Sequence, residues 1–421
     1  MSISKIILAA ILALLPAIAA AQEVKTLTWR DCQETAMLSN PVLAGYRQSL
    51  ESARYSYYAA KSQNLPFPGV SVSNSFSRNG SVDSSPGNTF SFNLGASETL
   101  FSMKSYAELE VQCKSIEKAD VGLRAALADT RKNLLTSFVY LLYAQERIGV
   151  MENILAIRDK SAEMINLKYE SGRESEGNRL RTEAQLAQAK ADLAQAKRDL
   201  LSAQRSLTAD IGADDFVPIV ASGTLTIPPA VSDIDIDKAA LSVPSVLSAK
   251  KSVELYSLKV KQTNADLFPI LSATQGLNWN GVSELPGNRA WSLGLSLSWP
   301  LFNNGPTYYK NNLANAKSVK QKAEEDYRNT LLSAKTNLQS ALAALETNIE
   351  NVATVALLLN AARQRYSESE IQYLSGTMSF QTWEDVEEEL VSSEQTYLTS
   401  LRSVNIARTE VDSLLGIPLG D

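Results

Sequence analysis

Two stretches of this chain are too long and too regular for a compact globular core. Tyr106 to Tyr169 and Tyr308 to Tyr373 span 64 and 66 residues, and neither contains proline. At about 1.5 Å per residue, the first would extend roughly 96 Å as a helix. Apolar residues recur through both in alternating steps of three and four. The first carries Leu141, Ala144, Ile148, Met151, Leu155, Ala162, Ile165 and Tyr169, with polar Arg158 taking one slot. The second carries Leu331, Ala334, Leu338, Ala341, Leu345, Val352, Val355, Leu359, Ala362 and Tyr366, with Asn348 in the polar slot. A shorter returning run places Leu186, Leu193, Leu200 and Leu207 at sevenfold spacing, with Ala189, Ala196 and Ala203 between them. This pattern predicts heptad packing, the alanines allowing close approach.

Before each long run lies a pair of segments with strict period-two alternation. One face carries Val70, Val72, Asn74 and Phe76, then Phe90, Phe92, Leu94 and Ala96; serines, Asn93 and Gly95 occupy the other. The second pair repeats this with Leu271, Ala273, Leu277 and Trp279, then Trp291, Leu293, Leu295, Leu297 and Trp299. An ordinary half-buried sheet has the same alternation. Three details favour lipid on the apolar side: strands near the length a tilted membrane strand needs, a small uncharged polar face, and tryptophans at strand ends. Asn74, Gln275 and Glu98 interrupt that face. Four strands cannot close a cylinder in hydrocarbon, because unpaired edges would remain. Several chains must then share one barrel.

The punctuation repeats as well. Leu65-Pro66-Phe67-Pro68 corresponds to Leu267-Phe268-Pro269, Leu100-Phe101 to Leu301-Phe302, and Gly172 to Gly376. The chain divides into a leader, 1–21; a first unit, 22–212, with a hairpin over about 69–99 and a tip at 169–180; a connector, 213–233; a second unit, 234–416, with a hairpin over about 270–300 and a tip at 373–385; and a tail, 417–421. The leader has a basic start at Lys5, an apolar run and Ala19-Ala20-Ala21, which reads as a secretory signal. No later unbroken apolar run reaches the length of a membrane helix.

Composition narrows the chemistry. With 40 basic and 46 acidic residues, nothing concentrates positive charge for nucleic acid. There is no histidine, which removes the commonest general base and metal ligand. No cofactor, metal site or catalytic constellation is expected. Export makes a Cys32–Cys113 disulfide chemically possible, but two cysteines cannot staple so long a chain.

Taken together, the duplicated helix–hairpin–helix order, the Leu-Phe-Pro entrances to the strands, the exit PLFNNG at Pro300 to Gly305 and the aromatic-x-x-Gly tips resemble the TolC family of trimeric outer-membrane efflux channels. The resemblance implies a mixed α and β fold. Each chain of a homotrimer would give four strands to a 12-stranded transmembrane β-barrel, continued by a long antiparallel α-helical periplasmic barrel with a small equatorial region. It implies a passive channel in the outer membrane of a Gram-negative bacterium. A periplasmic adaptor and an inner-membrane RND or ABC transporter would be its partners in tripartite efflux or type I secretion. The strand residues expected to face outer-membrane lipid are Val70, Val72, Phe76, Phe90, Phe92, Leu94, Leu271, Leu277, Trp279, Trp291, Leu293, Leu295, Leu297 and Trp299.

By the same resemblance the tips form the periplasmic gate. Tyr373 matches the family's aromatic, Gly376 its turn glycine and Asp385 one of two acidic constriction positions. Thr382 takes the other; Met378 replaces a basic residue, and Asn178 falls where an acidic partner often occurs. Gly172, Arg173, Glu174 and Ser175, with Gly376, Thr377, Met378 and Ser379, are expected at the turns that contact the adaptor. Glu384, Asp385, Glu387, Glu388 and Glu389 read either as a solvated helix start or as a concentrated negative potential at the entrance. The competing reading of the whole chain is a secreted structural or adhesive coiled coil, which leaves the alternating hairpins without a purpose.

Overall fold

The computed structural model describes residues 25–77, 87–216, 218–231, 234–282, 287–299, 302 and 305–420. The expected leader lies outside them, as do Pro300, Leu301, Asn303 and Asn304 of the strand exit. Strand β1 (Lys25–Leu27) leads into α1 (Trp29–Ser39) and α2 (Pro41–Ser62). Thr28 caps α1 reciprocally: its hydroxyl accepts from Asp31 N–H, and its own N–H donates to Asp31 at 2.9 Å. Asn40 separates the two helices, its side chain accepting from Val42 N–H at 2.9 Å and Leu43 N–H at 3.2 Å. Pro41 at the first helical position loses no hydrogen bond there.

Strands β2 (Phe67–Ser77) and β3 (Gly87–Ser102) precede the long helix α3 (Met103–Glu170) and its return α4 (Glu176–Ile211). After β4 (Ile219–Ala221), the order resumes with α5 (Ile236–Ser242), α6 (Pro244–Ala265), β5 (Ile270–Gly281), β6 (Asn288–Ser298), α7 (Pro306–Leu374) and α8 (Phe380–Leu414). The longest, α3 and α7, have 68 and 69 residues. The sheet is antiparallel in the order β2-β3-β5-β6, so the two hairpins lie side by side. Among the described residues, no helix makes extended contact with either face. Strand β3 outruns the expected hairpin by three residues, ending in a bulge between Thr99 and Phe101 where Leu100 has no partner in β5.

Packing joins α3 to α4, α7 to α8 and α3 to α8, while α2 lies on α3 and α6 bridges α3 and α7. The main core sits midway along the rods. There Leu134, Phe138 and Leu141 of α3 meet Leu207 of α4 and Leu398, Leu401 and Val404 of α8, beside the parallel pair β1–β4. The heptad of α7 is buried at Ala334, Leu338, Ala341, Leu345, Val352, Val355, Leu359 and Ala362. That of α3 ends earlier than its spacing predicts: Tyr169 is exposed, and the buried stripe runs Met151, Ile154, Arg158, Ser161 and Ile165. One 18-residue window of α7 has a mean hydropathy of 1.3, apolar enough by composition to cross a membrane. Polar residues interspersed through α7 keep each unbroken apolar run short. No disulfide joins Cys32, buried in the core, to Cys113, exposed on α3.

Two glycines close matching joints. Gly212 ends α4 at φ +83°, and a Cβ there would lie 2.6 Å from the Ser39 carbonyl oxygen. Gly416, at φ +73°, would place one 2.9 Å from Pro244 Cδ. Both positions need left-handed backbone and close approach of an earlier helix–helix junction, Ser39–Asn40 for Gly212 and Ser242–Pro244 for Gly416. Gly212→Ala is therefore expected to lower stability by about 1–3 kcal/mol, whereas alanine at open Gly45 stays within about 1 kcal/mol. Denaturant unfolding of the two variants checks this.

Candidate functional site

Two regions carry the sequence-derived functional residues: the sheet, and the turns at the far end of the rods. In the sheet, the register aligns apolar residues in rows. Val70 pairs with Leu94, Leu94 with Leu277, and Leu277 with Trp291. Val72 pairs with Phe92 and Phe92 with Trp279, their rings 5.3 Å apart. Leu271 pairs with Leu297, and Phe76 lies opposite Asn88. Phe90 shares a row with Asn74 and Gly281. The apolar side includes Trp291 at 77% and Leu295 at 74% exposure, with Leu293, Leu297 and Trp299 also exposed. The other side carries Ser71 opposite Asn93, which donates to it at 3.3 Å, and Ser73 opposite Ser91. Trp299 donates its indole N–H to the Leu267 carbonyl at 3.0 Å, anchoring the sheet's helix-side margin.

At the opposite end, α3–α4 and α7–α8 turn by one motif used twice. Gly172 and Gly376 adopt φ +71° and +79°. Their N–H groups bond to the Tyr169 and Tyr373 carbonyls, while Arg173 and Thr377 N–H groups reach the Lys168 and Gln372 carbonyls. Both turns thus close the preceding helix with paired bonds around a left-handed glycine. Ser175 and Ser379 then cap the returning helices, accepting from Asn178 and Thr382 N–H at 3.2 Å.

Between the turns, Tyr373 is buried with Ile165, Phe380 and Trp383, and Met378 packs against them. The Tyr373 ring stacks on Trp383 at 4.8 Å, and Lys168 Nζ sits 3.5 Å above its centroid. Lys168 also donates to the Tyr373 carbonyl at 3.0 Å. The phenol donates to Glu174 Oε1 at 2.6 Å, while Asn178 donates to Glu174 Oε2 at 2.7 Å. Asn178 therefore bears on Tyr373 through Glu174. Sequence reasoning places Glu174 only at the turn; the structure makes it the acceptor that ties the two tips together. Burial pushes the Tyr373 phenol up, and its bond to the Glu174 carboxylate adds to this. Burial also pulls the Lys168 ammonium down. For Glu174, burial acts upward, but the bonds from Tyr373, Asn178 and Ser175 N–H and the Lys168 charge together hold it below the usual range.

Along α8 the acidic run divides. Thr382 and Asp385 are exposed together, Asp385 accepting from Gln381 at 3.1 Å. Glu384 and Glu387 are buried, contrary to a solvated helix start. Their spacing from Phe380 and Trp383 puts them on the inward stripe; Arg158 in an apolar slot of α3 is the sequence signal for the partner of Glu387, whereas Glu384 pairs with Arg181 of α4. No metal-binding group of acidic and cysteine residues occurs among the described residues.

The family model for outer membrane efflux proteins matches residues 33–213 and 236–417. The chain belongs to that family. It is an outer-membrane channel of efflux or secretion, with a long helical extension in the periplasm, working with an adaptor and an inner-membrane transporter. Membership places its task in conduction rather than catalysis, and nothing favours the adhesive coiled coil. Among similar proteins is the cobalt-zinc-cadmium resistance protein CzcC of Cupriavidus metallidurans, 23% identical over 316 residues, 74% of each chain. The fold is similar to the outer-membrane channel OprN, with TM-score 0.81 and 21% identity over 92% of this chain and 89% of that one. It is also similar to the open state of the Neisseria gonorrhoeae channel MtrE, with TM-score 0.79 and 20% identity over 92% and 88%.

The efflux protein's tip contact has a defined pH response. Because Glu174 is lowered in the folded state, its contribution is complete above its unfolded value and is lost as pH falls through the lower folded value. The contact between the tips is thus expected to hold from neutral pH down to about 4.3 and to weaken only below that. Near-ultraviolet circular dichroism of the stacked Tyr373 and Trp383 rings against pH checks this; a change already between about pH 7 and pH 5 would contradict it.

Proposed function

We propose that three copies of this chain form one gated conduit, each giving its four strands to a 12-stranded barrel. The observation that carries this reading is the uncovered sheet, whose apolar rows are exposed along one side and whose edge strands β2 and β6 each have one hydrogen-bonded neighbour. A sheet in hydrocarbon must pair those edges, and four strands are too few to close on themselves. Exposed Leu357, Leu358 and Ile371 on α7 give the rods apolar surface for neighbouring copies. On this reading the units 22–212 and 234–416 are quasi-equivalent staves of one wall.

The tips are the periplasmic gate. Tyr373 and Glu174 hold the α7–α8 turn to the α3–α4 turn, with Asn178 orienting the carboxylate and Met378 sealing the aromatic cluster. Thr382 and Asp385, on the exposed side of α8, line the constriction. Three copies of Asp385 would concentrate negative potential there and favour cations. The turns at Gly172–Ser175 and Gly376–Ser379 receive the adaptor, and cargo is handed on by an RND or ABC transporter. The channel supplies no energy of its own.

Planar-bilayer recording of the purified oligomer tests the proposal. Pores are expected, with higher open probability after Tyr373→Phe, which keeps the ring stack but removes the bond to Glu174. No pore in either wild type or Tyr373→Phe would overturn it. On the barrel, Leu295→Arg should cost about 2–4 kcal/mol of insertion near the bilayer centre. Ser296→Arg, on the other face, should instead alter conductance in channels that still insert.

A further inference from the structure

One corner of this fold is built twice, and only one of the two is closed. There a short helix hands over to a strand beside the start of a long helix: α2, β2 and α3 in the first unit, α6, β5 and α7 in the second. Pro41 answers to Pro244 and Met103 to Pro306, the first residues of those helices. In the second unit the polar groups are matched. Tyr309 donates its hydroxyl to Asn264 Oδ1 at 2.9 Å, and Asp266 takes Lys104 of α3 at 2.8 Å. The same positions of the first unit hold Tyr106, Lys61 and Gln63. Where the second corner offers an amide and a carboxylate, the first offers a cation and an amide. Lys61 and Tyr106 are exposed, and neither has a hydrogen-bond or ionic partner among the described residues.

A second such charge stands beyond the other edge of the sheet. Lys310, the fifth residue of α7, is exposed and also unpaired among the described residues. Its counterpart in α3 is Ala107, 3% exposed in a helix flanked by both α2 and α6, whereas α7 has only α6 of that pair beside it. In a wall of three copies, the α2 of the next copy takes the open side of α7, covers Lys310 and brings the Lys61 corner to it. The two helices offer no acid at that level: α2 has none after Glu51, and α7 none before Glu324. Cations covered in this way need an anion.

The sheet sets the level of this cleft. Phe67, Phe268, Trp299, Phe302 and Tyr308 are exposed along its helix-side margin, Phe67 at 73%, and continue the apolar rows to where strands give way to helices. Exposed rings with lysines just beyond them mark a membrane–water boundary, the rings at headgroup depth and the ammonium groups reaching phosphate. We propose that each boundary between copies binds one phospholipid of the periplasmic leaflet. Its phosphate lies between Lys61 of one copy and Lys310 of the next, the Tyr106 hydroxyl donates to it, and its chains lie on the apolar side of β2 and β6. Glu98, which follows the register partner of Phe67 on that margin, suits the ammonium of an ethanolamine headgroup. This rests on the three-copy barrel and adds a ligand held at its seams.

Native mass spectrometry of the detergent-purified oligomer, titrated with palmitoyl-oleoyl phosphatidylethanolamine, tests this. One lipid should be retained per boundary, and diacylglycerol with the same chains should not be. Lys61→Gln with Lys310→Gln should weaken retention roughly 25-fold, and arginine at both positions should restore it. Should the glutamine pair not assemble, Lys61→Gln alone should lose roughly fivefold. Lys322→Gln, farther along α7, should change nothing. Phosphatidylglycerol should be held less tightly than phosphatidylethanolamine, and Glu98→Gln should remove that difference. Retention of diacylglycerol, undiminished binding in the glutamine variants, or displacement by excess inorganic phosphate would overturn the proposal; the last would mark a site for a soluble anion. A trimer that keeps no lipid sinks this inference alone, whereas an oligomer of another number sinks the barrel reading beneath it.

Discussion

A β-sheet in hydrocarbon cannot end, because every unpaired N–H and C=O at its edge costs several kcal/mol with no water to satisfy it. This chain builds a sheet of four strands, uncovered on both faces and open at β2 and β6. Much of the molecule follows from that incompleteness. The rods leave Leu357 and Leu358 exposed, which the proposed assembly accounts for by making one copy a segment of a wall. The joints at Gly212 and Gly416 are tight because each long return helix ends with its backbone against the junction of the two short helices that open its unit.

From sheet to tip, the rods trade one kind of cohesion for another. Apolar contact dominates around Leu141 and Leu401, where permanence is needed. Near Arg158 and Glu387, directed polar contacts interrupt it, and at the tips Ile165, Phe380 and Trp383 enclose Tyr373 beside its bond to Glu174. Such contacts specify one arrangement of the helices by direction as well as by burial.

Periodicity made most of this legible. Alternation in the hairpins assigns Leu293, Leu295 and Leu297 to one side and Ser292, Ser296 and Ser298 to the other, and the register agrees with it. The α7 heptad matches the buried positions from Ala334 to Ala362. What escaped the reading depends on contacts distant in sequence. Strands β1 and β4 are three residues each, too short for a periodic signal, and pair across nearly half the chain. The Leu100 bulge depends on the partner strand. Glu384 and Glu387 look solvated by composition and are buried because Arg181 and Arg158 meet them from other helices. At the tips, Tyr169 and Tyr373 occupy equivalent places in the repeat, yet only Tyr373 is enclosed. Only Tyr373 has Trp383 beside it in space.

The most direct measurement is the environment of single spin labels placed in turn from position 291 to 298, in channels reconstituted into bilayers. Odd positions should collide with oxygen dissolved in lipid and even positions with a water-soluble relaxant, alternating along the whole strand. Labels at Leu293 and Leu295 that are shielded from lipid, or no alternation between neighbours, would contradict a sheet that walls a pore.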